Sequence, residues 1–223
     1  MLKLAIFDVD GTLIDSQALI LRAMEGAHAE VGVAMPPRDT VLSIVGLSLE
    51  IAFMTLHPGL QRPVLARLVS AYKSTFSRLR AAGEDEPPFY PGALDALARL
   101  DAAGWLLGVA TGKARRGLDH LLDGHGIRSR FVATQTADDA PSKPHPGMVL
   151  NLLAATGVDA AQAVMIGDTR YDIEMGRAAR ARALGVSWGY HPRAALTAAG
   201  AHGVIDDYGA LDAALAEALD QAA

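Results

Sequence analysis

The chain has no cysteine among its 223 residues, which excludes disulfides and a thiolate nucleophile. It has no excess of positive charge: the formal net charge is −5, and no basic face is evident, which argues against nucleic acid as a partner. An anionic ligand would then need local positive charge at its own site. It lacks any apolar run approaching the roughly 20 residues that span a bilayer. The first apolar run, Leu4 to Phe7, is too short for a signal peptide and is interrupted by Asp8. A cytoplasmic protein, without membrane or nucleic-acid partners, is expected. With 51% hydrophobic and 20% charged residues, the chain has enough apolar surface for one large domain or two small ones.

Segments resembling buried strands recur at Leu4 to Phe7, Trp105 to Ala110, Phe131 to Thr134, Ala163 to Ile166 and Ala183 to Ser187. A short edge strand is expected at Gly203 to Ile205. Between them lie stretches with helical spacing: Ala93 to Ala103, Gly117 to Leu122, Pro146 to Ala155 and a closing helix from Tyr208 to Leu219. This alternation predicts an α/β fold with a doubly wound parallel sheet, whose ligands sit at the carboxyl ends of the strands. Residues 16–82 carry helical periodicity without a strand, and the insertion is far too long for a simple crossover. They are expected to form an inserted all-α cap domain, leaving 1–15 and 83–223 as the core. Leu13 to Ser16 and the linker Gly83 to Pro88 would be its hinges, making the cap a lid by position.

Each strand ends in polar groups. After the first comes Asp8-Val9-Asp10-Gly11-Thr12, where the pleat points Asp8 and Asp10 the same way, Gly11 permits a tight turn, and Thr12 offers a hydroxyl and an N–H to an anion. The second ends in Thr111-Gly112-Lys113. The third leads to Pro141-Ser142-Lys143-Pro144-His145-Pro146, where the prolines exclude helix around Lys143. The fourth ends in Gly167-Asp168-Thr169-Arg170-Tyr171-Asp172, in which Asp168 is read as the cap of the next helix and Asp172 lies one turn on. Singly, Thr111 reads equally as a helix cap, Lys143 as a solvated lysine, Asp172 as a surface acid, and His120 and His145 as structural or exposed. Together they gather five groups at the carboxyl ends of four strands. Clustered carboxylates suit Mg²⁺; Lys143 and Thr111 suit an anionic phosphoryl group. A carboxylate is a competent nucleophile for an aspartyl-phosphate, and a second one with a raised pKa suits proton transfer.

These four motifs, in this order, resemble those of the haloacid dehalogenase superfamily, with a helical cap after the first motif; the resemblance covers the whole chain. It implies Asp8 as nucleophile and metal ligand, Asp10 as general acid/base and ligand through its carbonyl, and Asp168 as the third metal ligand. It implies Thr111 and Lys143 as catalytic stabilisers of phosphate and nucleophile, with Gly11, Thr12 and Gly112 also binding substrate. Asp172 is implied to hold Lys143 or a metal-bound water. The presence of Asp10 disfavours carbon–halogen and phosphonate cleavage. Phe7 to Ser16, Ser142 to Pro146 and Trp188-Gly189-Tyr190 are most similar to the phosphoglycolate phosphatase branch. The chain departs from that branch at Thr111-Gly112-Lys113, where threonine then asparagine is common, and at Val45-Gly46-Leu47-Ser48, which lacks a basic residue. The expectation is a Mg²⁺-dependent phosphatase of a small phosphorylated metabolite, monomeric or homodimeric, with a phosphosugar mutase of the β-phosphoglucomutase type as the alternative. A phospho-accepting signal receiver shares an acidic Mg²⁺ pocket but needs neither the helical insertion nor the late Gly167-Asp168.

Overall fold

Leu4, Ala5, Ile6 and Phe7 form β1 (Leu4–Phe7), buried on both faces, as a near-continuous apolar run requires in a parallel sheet. In the computed structural model, which describes residues 2–82 and 87–220, β1 pairs in parallel with β2 (Leu106–Ala110) and β4 (Ala163–Gly167). β3 (Phe131–Gln135) lies outside β2, and β5 (Arg182–Val186) and β6 (Gly203–Ile205) outside β4. The order is β3-β2-β1-β4-β5-β6. The chain therefore builds outward to one side of β1, returns, and builds to the other. The resulting switch point opens a crevice at the carboxyl ends of β1 and β4.

The pleat sorts β1 between two cores. Ala5 and Phe7 pack with α5 (Ala93–Ala102), α6 (Arg115–Gly124) and α10 (Leu211–Asp220), whereas Leu4 and Ile6 pack with α7 (Gly147–Thr156) and α8 (Arg170–Ala178). α9 (Arg193–Ala198) covers β5 through Leu196. The expected strands and helices are present with ends shifted by a residue or two. Trp105 precedes β2, and Ser187 follows β5 while donating its N–H to the Ile205 carbonyl. Tyr208 to Ala210 is a 3₁₀ turn, capped by the Asp207 carboxylate, and the α-helix begins at Leu211.

Between β1 and β2 lie α1 (Gln17–Val31), α2 (Arg38–Leu42), α3 (Leu49–Leu56) and α4 (Arg62–Ala81). They enclose a separate cluster that includes Ile20, Met24, Val41, Phe53 and Leu68. The chain enters and leaves this unit by two antiparallel connections: Asp15 N–H donates to the Pro88 carbonyl at 2.9 Å and Tyr90 N–H to the Leu13 carbonyl at 2.9 Å. Of the expected linker 83–88, residues 83–86 lie outside the described residues. Among the described residues, no helix is long and apolar enough to cross a membrane.

Candidate active site

Asp8 leaves β1 with its N–H bonded to the Ile166 carbonyl at 2.9 Å and its side chain 1% exposed. The turn that follows is held tightly. Gly11 adopts φ +84°, and a Cβ there would lie 2.3 Å from Asp168 Oδ2 and 2.5 Å from the Tyr190 ring. Only glycine fits. The Gly11 N–H donates to the Ile14 carbonyl at 2.9 Å and the Thr12 N–H to the Val9 carbonyl at 3.2 Å. The Thr12 hydroxyl donates to Asp168 Oδ1 at 2.9 Å. The expectation that Thr12 offers its hydroxyl and amide to an anion is therefore corrected: the amide closes the turn within the first motif, and the hydroxyl joins the first motif to the fourth. The Thr12 carbonyl accepts from Tyr208 Oη at 2.8 Å and from Trp188 Nε1 at 3.1 Å. Among the described residues, the turn's backbone hydrogen bonds leave the Asp10 carbonyl unused.

Asp168 is also reassigned. The cap of α8 is Thr169, in a reciprocal capping box with Asp172: Asp172 Oδ2 accepts from Thr169 N at 3.0 Å and from Thr169 Oγ1 at 2.7 Å. One residue further back, Asp168 is free of the helix end and accepts at Oδ2 from Tyr190 N at 2.8 Å.

Lys143 is 1% exposed, so its solvated reading fails. Its Nζ lies 2.7 Å from Asp8 Oδ1 and 2.6 Å from Asp172 Oδ1. Burial disfavours its charge, but Asp172 and Asp8 outweigh this and hold the amine above its ordinary pKa. Burial, opposed by Lys143 and reinforced by Asp172, raises Asp8 to about 7. Burial and the charges of Asp172 and Asp8 likewise raise Asp168 well above the carboxylate range. Thr111 is buried at the end of β2, its N–H bonded to the Gln135 carbonyl and its Oγ1 accepting from Lys113 N at 3.2 Å. His120 and His145 are exposed.

The carboxylates of Asp8, Asp168 and Asp172 approach within 4.8 Å of one another. Asp172 is committed to Lys143 and the capping box, so the lone pairs still open belong mainly to Asp8 and Asp168. Neither Asp8 oxygen accepts a hydrogen bond of good geometry, although both are buried. Orphaned, mutually repelling carboxylate oxygens beside an unused carbonyl are a donor set that fits a hard divalent cation.

Some contributors were not singled out from sequence. Lys113 Nζ pairs with Asp10 Oδ1 at 2.9 Å and lies 5.6 Å from the centre of the Phe76 ring on α4. Its place two residues after Thr111 is the signal that could have found it. Tyr190, noted only for its resemblance, holds Asp168 through its N–H and meets Ser16 Oγ at 3.1 Å through its hydroxyl. Ser142 Oγ accepts from Ser48 N at 2.8 Å. His191 accepts at Nδ1 from Arg170 N at 3.1 Å and donates from Nε2 to the Ser43 carbonyl at 3.0 Å, which Tyr171 Oη also reaches at 3.2 Å. Gly112 passes directly beneath the loop between α2 and α3: a Cβ there would lie 2.4 Å from the Gly46 carbonyl oxygen. Above Asp8 and Asp10 the helical unit and the sheet enclose a cavity of about 550 Å³.

Residues 5–186 match the family described as haloacid dehalogenase-like hydrolase. The chain is similar to "Probable phosphatase IndB" of Dickeya dadantii, with 34% identity over 93% of this chain and 91% of that protein. It is similar to a phosphoglycolate phosphatase of Agrobacterium fabrum, with 32% identity over 97% and 93%. Among solved structures, a hydrolase from Pseudomonas syringae superposes with a TM-score of 0.85 at 24% identity, covering 96% of this chain and 98% of that one, a likeness of fold.

Proposed function

The chain belongs to the haloacid dehalogenase-like hydrolases, is a phosphatase of that family, and from that premise we propose that it hydrolyses a small phosphorylated metabolite through an aspartyl-phosphate on Asp8, with Mg²⁺ as cofactor. The observation that carries this reading is the Asp8 carboxylate: buried, ion-paired with Lys143, and left with oxygens that no hydrogen bond satisfies, at the floor of the cavity. Such an oxygen is positioned for attack and lacks the solvation that would blunt it.

In the first step an Asp8 oxygen forms a bond to phosphorus as the bond from phosphorus to the leaving alkoxide breaks. Asp10 delivers a proton to that oxygen. In the second, water attacks the phosphorus of the aspartyl-phosphate while Asp10 accepts its proton, and Asp8 is released with inorganic phosphate. Lys143 offsets the repulsion between the carboxylate and the incoming phosphoryl oxygens, and Asp172 holds Lys143 in place. Thr111 Oγ1 donates to the phosphoryl group. Asp8, Asp168 and the Asp10 carbonyl are the proposed ligands of Mg²⁺, which when bound neutralises negative charge shared by the carboxylates and the phosphoryl group. Residues 16–82 act as a cap domain that closes over this chemistry, with its connections beside Asp10 as the pivot.

The test is a screen of phosphomonoesters for phosphate release with and without chelator. Release that depends on Mg²⁺ and falls by about four orders of magnitude in Asp8→Asn supports the reading. Undiminished release in excess chelator, or by Asp8→Asn, contradicts it. Isomer exchange of a sugar phosphate without net phosphate release would assign the mutase alternative.

A further inference from the structure

Resting on the phosphatase reading, the walls of the cavity carry information about what leaves with the phosphate. About 550 Å³ falls in the range, roughly 300–1,000 Å³, that encloses ligands of drug size. A two-carbon acid would leave most of it as water against apolar walls. Those walls are Ile20, Met24, Ile44, Leu47, Tyr72 and Phe76. Tyr72 and Phe76 sit one turn apart on α4, their ring centres 5.8 Å apart, and Phe53 meets Tyr72 edge-on at 6.2 Å. An aromatic pair packed in this way presents a surface on which a flat or apolar body stacks. Among the described residues nothing hydrogen-bonds the Tyr72 hydroxyl, although burial and the Asp10 charge both raise its pKa. It lines the cavity as a polar handle under the influence of the Asp10 charge, without a protein partner among the described residues.

The charged lining balances in number, with Asp8, Asp10, Glu50 and Asp138 against Lys73, Arg80, Lys113 and Arg116, but not in pairing. Lys113 is paired with Asp10, and Asp138 accepts from Arg115 N at 2.7 Å. Glu50 also lines the cavity but is exposed. Lys73 and Arg116 line it as well and are also exposed, Arg80 is half-buried, and among the described residues none of the three has a carboxylate partner. Arg80 stands two turns beyond Tyr72 on the same helix, about 12 Å along its axis at about 1.5 Å per residue. Cations without a carboxylate partner among the described residues, one of them at that separation from Tyr72, suit a second anion on the substrate.

We propose that the substrate is a phosphomonoester whose alcohol is an extended aromatic or apolar body bearing a second anionic group at the end remote from the phosphate. The body packs on Tyr72 and Phe76, the Tyr72 hydroxyl bonds it near the reacting oxygen, and the distal anion lies among Arg80, Lys73 and Arg116.

The experiment compares four substrates with Mg²⁺: 2-phosphoglycolate, glycerol 3-phosphate, phenyl phosphate, and the phosphate ester of 3-(4-hydroxyphenyl)propanoic acid. The last should exceed phosphoglycolate in kcat/KM by about 100-fold, the scale of burying one aromatic ring. It should exceed phenyl phosphate by about fivefold, the scale of one charge pairing at the cavity mouth. Arg80→Gln, Lys73→Gln or Arg116→Gln should shrink that fivefold margin through KM. A preference for phosphoglycolate, or a margin untouched in all three variants, overturns the proposal. Binding of the matching phosphonates, followed by calorimetry, reads the cavity without turnover. If no ester is hydrolysed but the aryl carboxylate phosphonate binds tightest, the phosphatase reading fails and the cavity preference stands. If the two-carbon phosphonate binds tightest, or none binds, the proposal falls whatever the turnover.

Discussion

Lys143 Nζ lies 2.6 Å from Asp172 Oδ1, with both side chains fully buried. The contact ties a loop residue held between prolines to the first turn of α8. Asp172 is thereby both the partner of a buried charge and half of the capping box with Thr169. Asp172→Asn removes the charge and keeps the shape. Removing one partner of a buried pair costs roughly 3 kcal/mol, and urea denaturation should show a loss of that order. Activity should fall about 100-fold with a smaller change in KM, because Lys143 loses its support beside Asp8.

Thr12→Val deletes the hydroxyl that orients Asp168 across 156 positions of sequence. Partners that orient a metal ligand typically affect affinity by about 10–100-fold. Titration of activity with Mg²⁺ should show a loss of that size in apparent affinity, with kcat largely recovered at saturating metal. An unchanged Mg²⁺ titration would remove Asp168 from the proposed ligand set.

Gly112→Ala tests whether the helical unit moves. The added methyl would meet the Gly46 carbonyl oxygen, a backbone atom that cannot step aside. If the cap opens and closes, the variant folds with stability within about 0.5 kcal/mol of the parent but cannot close, and kcat/KM drops about 100-fold. If the contact is permanent, the same variant loses stability in proportion, seen as a lowered Tm.

A pH dependence is built into the cap. His28 is buried, with Nδ1 2.7 Å from the Met24 carbonyl and Nε2 2.8 Å from His57 Nε2. Burial and the neighbouring His28 lower the pKa of His57 below its ordinary 6.5. A histidine lowered in the folded state contributes stability above its unfolded pKa and loses it as pH falls through the folded one. Tm should therefore drop between about pH 7 and pH 5 more in the parent than in His57→Gln. Equal drops would show that the pair is not the source.

The sheet was legible because its signal is local: apolar runs ending in acid, hydroxyl or glycine mark strand ends in an open α/β fold, and the switch point follows from the topology. That the crevice needs a cation such as Lys143 follows from its charges, but the direct contact with Asp8 is visible only in the structure. Local reading failed where a residue's partner lies far along the chain. Thr12 resembled an anion donor because nothing nearby competes for its hydroxyl, yet Asp168 does. Asp168 resembled a helix cap because it precedes α8, but Thr169 has the better geometry once Asp172 completes the box. Lys113 was passed over as a departure from a pattern, since its partners Asp10 and Phe76 lie on other elements.

The central claim is that Asp8 carries the phosphoryl group. Quenching a reaction during steady turnover and reducing the protein with borohydride converts an acyl phosphate to the alcohol, which peptide mass spectrometry locates. The account predicts homoserine at position 8, formed only when substrate and Mg²⁺ are both present. Full turnover with Asp8 unmodified and another carboxylate reduced would contradict it.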